Sequence, residues 1–301
     1  MTSILVVDDN PIDRRLITGL LGCIEGWNVE TVNDGQEAID RYDERPLPDI
    51  VVTDLQMPRM NGLELVAATK KIHPRLPVIL ITSQGSEEIA LEALRAGAIN
   101  YSPKSALSRD LVRTIQKVIS VAEKVASNAV VSLAPTEYFD VQFEIENDAE
   151  MIWPLIEQLQ SNLPPWSTTD QLQIGMALDE AMSNAMYHGN LEVESDLKEC
   201  EENEFYKLVG ERQSEAPYCD RTVRIQARFT PDEFEISVAD QGPGFDPETV
   251  EDPRKEENLS KLSGRGLLLI RSFMDDVWHN ETGNKITMVK RRKPVDPTSA
   301  V

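Results

Sequence analysis

QIGMALDEAMSNAMYHGN, residues Gln173–Asn190, is the stretch on which the reading of the chain turns. No Gly or Pro interrupts it between Met176 and His188, and Thr168 or Thr169 offers a side-chain cap ahead of it, so it reads as a helix. Ile174, Leu178, Ala181 and Ala185 recur at three- and four-residue spacing and make one apolar stripe. Glu180, Asn184 and His188 follow at four-residue steps and make a polar stripe beside it. An acid, an amide and an imidazole stacked next to a buried face suit a metal–phosphate site: the carboxylate can act as a base and the amide oxygen can ligate a hard cation. The alternative is an amphipathic helix with a polar rim.

Downstream lie three strand-like runs, Thr222–Phe229, Glu233–Ala239 and Lys285–Val289. Asp240, Gly242 and Gly244 form a turn directly after the second. A carboxylate at that strand end can accept a hydrogen bond from an exocyclic amine such as that of adenine, and the glycines let backbone approach a ligand closely. Gly264 and Gly266 open a helix over Leu267–Met274, whose free N–H groups suit phosphate. Between the glycine pairs, Asp246–Leu262 is polar and charged, as a lid would be. Upstream, Tyr138–Ile145 alternates like a strand, Asp148 caps a helix reaching Asn162, and Pro164-Pro165 breaks the chain. Leu191–Asp220 is rich in acids. A helix around Asp196–Val209 is open to it, but the composition favours a solvated insertion.

In this order, ALDEAMSNAMYHGN, DQGPGF and SGRGLLLIRSFMDDV resemble the N-box and two glycine boxes of the GHKL ATPase/kinase superfamily, over Tyr138 to Arg292. The form is similar to that of the bacterial anti-sigma-factor serine kinases. The resemblance implies an α+β (Bergerat) ATP-binding sandwich, with Asn184 on Mg²⁺, Glu180 as the base that takes a hydroxyl proton, and Asp240 on adenine. It further implies that Gly242, Gly244, Gly264 and Gly266 shape the pocket and that Arg265 reaches a phosphate. His188 is expected to cap its own helix. The acidic insertion departs from the family's short forms.

The first half alternates short apolar runs with helical patterns. Ser3–Val7 ends in Asp8-Asp9, Ile50–Thr53 in Asp54, Val78–Ile81 in Thr82, and Ile99–Tyr101 near Lys104. Pro11–Leu21, Gly35–Arg45, Asn61–Lys71 and Glu87–Ala96 read as the helices between them. Such alternation predicts a parallel sheet covered on both faces, with ligands beyond the carboxyl ends of the strands. Converging carboxylates there need a cation such as Mg²⁺, and one of them can then attack a phosphoryl group. ILVVDDNPIDRR, DIVVTDLQMPRMNGLEL, VILITSQGS and AGAINYSPKS resemble the receiver domains of two-component response regulators. That implies a flavodoxin-like, five-stranded, doubly wound α/β fold, with Asp54 as phosphoacceptor. Asp8, Asp9, Asp54 and the Gln56 carbonyl would surround Mg²⁺, with Thr82, Tyr101 and Lys104 as switch residues. Ser105 follows Lys104 where the family commonly has Pro.

Ala106–Ala126 reads as a long helix whose apolar stripe is open to two readings, packing on its own sheet or a short coiled coil that dimerises the chain. The expected division is a receiver over 1–124, a helical linker over 125–136, an ATP-binding domain over 137–293 with the acidic insertion at 191–220, and a tail over 294–301. The formal charge of -22, from 52 acidic against 30 basic residues, argues against a nucleic-acid or anionic-membrane partner. The basic run Lys290–Lys293 reads as a solvated strand end. Three scattered Cys (Cys23, Cys200, Cys219) make neither a disulfide framework nor a zinc site. With no leader and no long apolar run, a soluble cytoplasmic protein is expected.

Two functions follow from these readings. One is a response regulator whose output is a serine/threonine kinase of the anti-sigma type. It would use Mg-ATP on a STAS-type anti-anti-sigma protein, under control of Asp54 phosphorylation by an upstream histidine kinase or phosphotransfer protein. The other is a non-catalytic module that sequesters a sigma factor or antagonist with nucleotide bound. A sensor histidine kinase is disfavoured, because none of His73, His188 and His279 lies on the connecting helix. A homodimer is expected from the long helix and the resemblance.

Overall fold

The computed structural model describes residues 2–44, 46–83, 87–127, 138–163, 166–194, 202–245 and 265–292. Two compact units divide the described elements.

In the first unit the order is β1 (Thr2–Val7), α1 (Pro11–Leu21), β2 (Trp27–Val32), α2 (Gly35–Glu44), β3 (Ile50–Asp54), α3 (Gly62–Ile72), β4 (Val78–Thr82), α4 (Glu87–Ala96), β5 (Asn100–Pro103) and α5 (Leu107–Ser127). The sheet is parallel, in order β2-β1-β3-β4-β5. Every residue of β3 and β4 is buried, which is why both read as unbroken apolar runs. β2 was not foreseen: it is an edge strand, half-buried, with an irregular alternation. Helix starts follow local chemistry. Asn10 accepts from Ile12 N–H with Pro11 at the first turn, and Asn61 forms a capping box with Glu64. A single 3₁₀ turn, Lys104–Ala106, leads into α5. Along α5, Leu107, Leu111, Ile115 and Val118 of its apolar stripe are buried within the chain. The helix runs to Ser127, three residues into the expected linker, and 128–136 lie outside the described residues.

In the second unit β6 (Phe139–Ile145) is followed by α6 (Ile152–Ser161), α7 (Thr168–Ser183), a π-helical segment (Asn184–Asn190), α8 (Glu202–Arg212), β7 (Val223–Phe229), β8 (Glu233–Ala239), α9 (Arg265–Phe273), β9 (Asp276–His279) and β10 (Lys285–Arg291). The sheet is antiparallel, in order β6-β7-β8-β10-β9. β7 buries Val223, Ile225, Ala227 and Phe229 and turns Arg224, Gln226 and Arg228 outward. β9 is a four-residue edge strand with no strong sequence signal.

Four expectations are corrected here. The opening helix is capped by Ser167, which accepts from Asp170 N–H, rather than by Thr168 or Thr169. It also changes winding at Asn184, so it is not one α-helix to Asn190. Lys290 is no solvated strand end: it is 3% exposed and its ammonium donates to Phe273 O at 2.6 Å. A cation at the C-terminus of α9 satisfies an orphan carbonyl and the helix dipole together. Finally, the acidic insertion contains a packed helix. Phe205 and Val209 of α8 are buried, and Arg212 completes the same face at i, i+4 and i+7.

Candidate functional site

The carboxyl ends of β1, β3, β4 and β5 meet at one edge of the parallel sheet. Asp8 follows β1, Asp54 ends β3, Thr82 ends β4 and Lys104 follows β5. Asp8, Asp54 and Thr82 are all buried. The Lys104 ammonium lies 2.8 Å from Asp8 Oδ2, 2.9 Å from Asp54 Oδ1 and 2.6 Å from Asp13 Oδ2. Burial works against that ammonium, but the carboxylates of Asp13, Asp8 and Asp54 outweigh it and hold its pKa above the ordinary value. Burial raises the Asp54 carboxyl. Lys104 draws it back, and Asp8 adds to the rise.

Of the expected trio, Asp8 and Asp54 meet at the Lys104 ammonium, and Asp13 joins them there. Asp8 is fully buried, while Asp9 is exposed, because successive residues leaving a strand point to opposite sides. Among the described residues no cluster of three His, Cys, Asp or Glu is arranged to hold a metal ion. The donor set at this edge is nonetheless all oxygen, and a carboxyl that burial holds above its usual pKa gains from a neighbouring hard cation. Gln56 N–H donates to Asp54 Oδ2 at 2.9 Å, which fixes the phosphoacceptor candidate's carboxylate against its own loop. Tyr101 is 4% exposed, its ring packed inward.

The second cluster forms where α7, its π-helical extension, the turn after β8 and the start of α9 come together. Gly189 has Asp240 directly on its backbone: a Cβ there would lie 2.3 Å from Asp240 Cγ. The Asp240 Oδ1 accepts from Gly242 N–H at 2.9 Å. At Gly266 a Cβ would lie 2.2 Å from Glu180 Oε1, so the first turn of α9 rests against the Glu180 carboxylate. A Cβ at either position would force the facing carboxylate side chain to shift. Gly244 (φ 72) packs on the β9–β10 hairpin, where Phe245 N–H donates to Thr282 O at 3.1 Å. Glu180 and Asn184 are half-buried, one turn apart. His188 Nδ1 lies 2.6 Å from Val193 O, three residues past the end of the segment, rather than on a carbonyl of its own helix. Gly264, the Arg265 side chain and the lid foreseen over Asp246–Leu262 lie outside the described residues.

Comparison with known families matches residues 4–116 to the response regulator receiver domain and residues 145–290 to the histidine kinase-like ATPase domain. The chain joins a receiver domain to a histidine kinase-like ATPase domain. The transcriptional regulatory protein CpxR of Escherichia coli (strain K12) is 36% identical over 119 residues, 40% of this chain and 50% of CpxR. The probable transcriptional regulatory protein TcrX of Mycobacterium tuberculosis is 33% identical over 117 residues, 39% of this chain and 49% of TcrX. The chain thus spans half or less of the length of these curated relatives. A solved CheY-like response regulator receiver domain protein from Methanospirillum hungatei JF-1 is 29% identical, with 41% of this chain and 98% of that one covered and a TM-score of 0.39.

Two residues beside the receiver cluster escaped the sequence reading. Asp13 is one. Arg59 is another: at φ 63 it donates to Asp34 Oδ2 at 2.6 Å and to Glu37 Oε1 at 2.7 Å, fastening the loop after Asp54 to the start of α2. In the ATPase domain the missed residues are Gly189 and Asn190. Both lie inside the quoted motif, but nothing in its periodicity marks them.

Burial pushes the Asp240 carboxyl up to about 6, against the Gly242 N–H and the Arg221 charge, which both lower it. In the free domain this favours the protonated form below about pH 6, and ionisation costs stability as the pH rises through that value. A ligand amine that donates to Asp240 needs the carboxylate. Adenine-nucleotide affinity is therefore expected to fall as pH drops through 6, approaching about tenfold per unit below it. Titrating ATP against the wild-type protein and Asp240→Asn isolates this step, because protonation of the phosphates contributes equally to both. A wild-type profile parallel to that of the variant contradicts the assignment.

Proposed function

We propose that this protein is a cytoplasmic response regulator whose output is a serine/threonine protein kinase of the anti-sigma-factor type. It transfers phosphate from Mg-ATP to a STAS-type antagonist under control of Asp54 phosphorylation. The observation that carries the reading is the Glu180 carboxylate, set against Gly266 at the N-terminus of α9, where a phosphate would dock. A domain that only held nucleotide would have no need of a base at that point.

Mg-ATP, when bound, supplies the phosphoryl group and the charge-neutralising cation. Glu180 takes the proton of the attacking serine or threonine hydroxyl. Asn184 offers its amide oxygen to the cation, Asp240 accepts from the adenine amine, and the free N–H groups of α9's first turn donate to phosphate. In the receiver domain Asp54 attacks the phosphodonor, with Asp8, Asp9 and the Gln56 carbonyl toward Mg²⁺ and with Thr82, Tyr101 and Lys104 registering the new charge. The phosphodonor is an upstream histidine kinase or phosphotransfer protein. Helix α5 is the covalent route onward, and a homodimer is the working form on the resemblance to the anti-sigma kinases.

The deciding experiment follows label from γ-labelled ATP to a STAS protein of the same organism, with and without acetyl phosphate. Label on a serine or threonine, altered by the donor, is the expected result. Nucleotide binding without any label assigns the sequestering function instead, with Asp54 controlling grip on a sigma factor or its antagonist.

A further inference from the structure

The π-helical segment ends on Asn190, which is fully buried and bonded on every side. Its Oδ1 accepts from Gln241 N–H at 2.7 Å, in the turn that carries Asp240. Its Nδ2 donates to Asn147 Oδ1 at 2.8 Å, and its carbonyl accepts from Arg221 at 2.7 Å. Asn147 in turn donates to Tyr218 O at 3.0 Å and to Arg221 O at 3.1 Å, and its own carbonyl accepts from Gln213. One buried amide thus ties the end of the Glu180–Asn184 helix to the Asp240 turn.

The far side of this relay is the acidic insertion. Arg212, at the end of α8, donates to Leu191 O and Glu192 O, the two carbonyls that follow Asn190. The guanidinium groups of Arg212 and Arg221 both lie over the Tyr218 ring, at 4.9 and 5.2 Å from its centroid. Phe205 of α8 meets the Tyr187 ring of the π-helical segment edge-on at 5.5 Å. Two cations therefore hold three successive carbonyls at the C-terminal end of a helical segment, where the backbone's partial charge is negative. Glu192 takes φ 51 there, a conformation that needs such a hold in a non-glycine residue.

We propose that Asn190 is the positioning residue of the nucleotide site, and that the acidic insertion is the brace that holds it. The proposal rests on the ATP reading of this site and adds to it a role for the insertion. Asn190 touches no reacting group. It fixes the Gln241 amide, and with it the neighbouring Asp240 carboxylate, at one distance from the face that carries Glu180. A turn free to shift would leave phosphate contacts at α9 in place but would misplace the acceptor for the purine amine. The distinguishing readout is therefore base selectivity rather than affinity alone.

The test uses the full chain, with Mg²⁺ and ribose-labelled fluorescent analogues of ATP and GTP. In Asn190→Ala the preference for ATP over GTP is expected to fall about tenfold, the value of one misaligned hydrogen bond. Arg212→Gln, which leaves the Asn190 side chain itself unaltered but loosens the carbonyls that follow it, is expected to lose selectivity in the same direction by a smaller factor. Should Asn190→Ala fail to fold by circular dichroism, Asn190→Asp, which keeps the acceptor for Gln241 and loses the donor to Asn147, carries the comparison with Arg212→Gln. Wild-type selectivity in the folded variants overturns the brace. An equal loss for both nucleotides overturns it as well, since that is the mark of a general structural defect. Failure of the wild-type protein to bind either nucleotide overturns the ATP reading itself.

Discussion

Replacing Glu180 by Gln is expected to lower phosphoryl transfer to the partner hydroxyl by about a hundredfold or more, the range that loss of a general base produces. Gln has nearly the shape of Glu and keeps an oxygen to set against Gly266, where the Glu180 carboxylate now rests. The packing of α7 on α9 is then preserved, and so are Asn184, Asp240 and the α9 N-terminus, the groups assigned to nucleotide. Mg-ATP affinity should consequently stay within a few-fold of wild type. What is lost is the proton acceptor alone. Label transfer and equilibrium binding measured on one preparation check both halves of this expectation. Equal transfer by the two proteins would remove Glu180 from the chemistry, and weakened binding in step with transfer would make it a nucleotide contact.

The second large effect belongs to Asp54. Asp54→Asn removes the carboxylate proposed to attack a phosphodonor. Asp8 and Asp13 remain engaged with Lys104, at 2.8 and 2.6 Å. Labelling of the receiver domain from acetyl phosphate should fall to background. Any effect of the donor on transfer to the STAS partner should vanish with it. The fold is expected to survive, because burial already raises the Asp54 carboxyl above its usual range and a neutral amide relieves its repulsion from Asp8. Lys104 keeps two of its three carboxylate partners. Retained labelling in Asp54→Asn would place the phosphoacceptor elsewhere. Labelling that disappears while the donor's effect on output persists would separate the receiver's phosphorylation from the control of the ATPase domain.

Legibility followed the strength of the local pattern. β3 and β4 are buried on both faces and read as continuous apolar runs, and their last residues named Asp54 and Thr82 as site candidates. β2 and β9 are edge strands, one with an irregular alternation and one of four residues, so periodicity carried little of them. Composition misled in two places. The acids around α8 hid Phe205, Val209 and Arg212, whose spacing of four and three would have marked an inward face. Lys290 was judged by its basic neighbours, although β10 buries it against the end of α9. Of the polar stripe Glu180, Asn184 and His188, Glu180 lies against Gly266 at the start of α9. His188 spends its Nδ1 on Val193 O.

The sequence by itself determined that an α/β unit is followed by an α+β one, and which strand ends and glycine turns carry polar chemistry. Those properties are local: a period of two or 3.6 states which face is buried, and a glycine states where backbone must come close. Tertiary structure alone decided which distant groups meet. Lys104 finds Asp13, 91 residues away, as well as Asp8. Asn190 reaches Gln241, 51 residues on, and Gly189 receives Asp240 against its bare backbone. Such meetings depend on the order of strands in each sheet and on the path of the loops between them, and a buried polar group must find its partner wherever that closure brings one within reach.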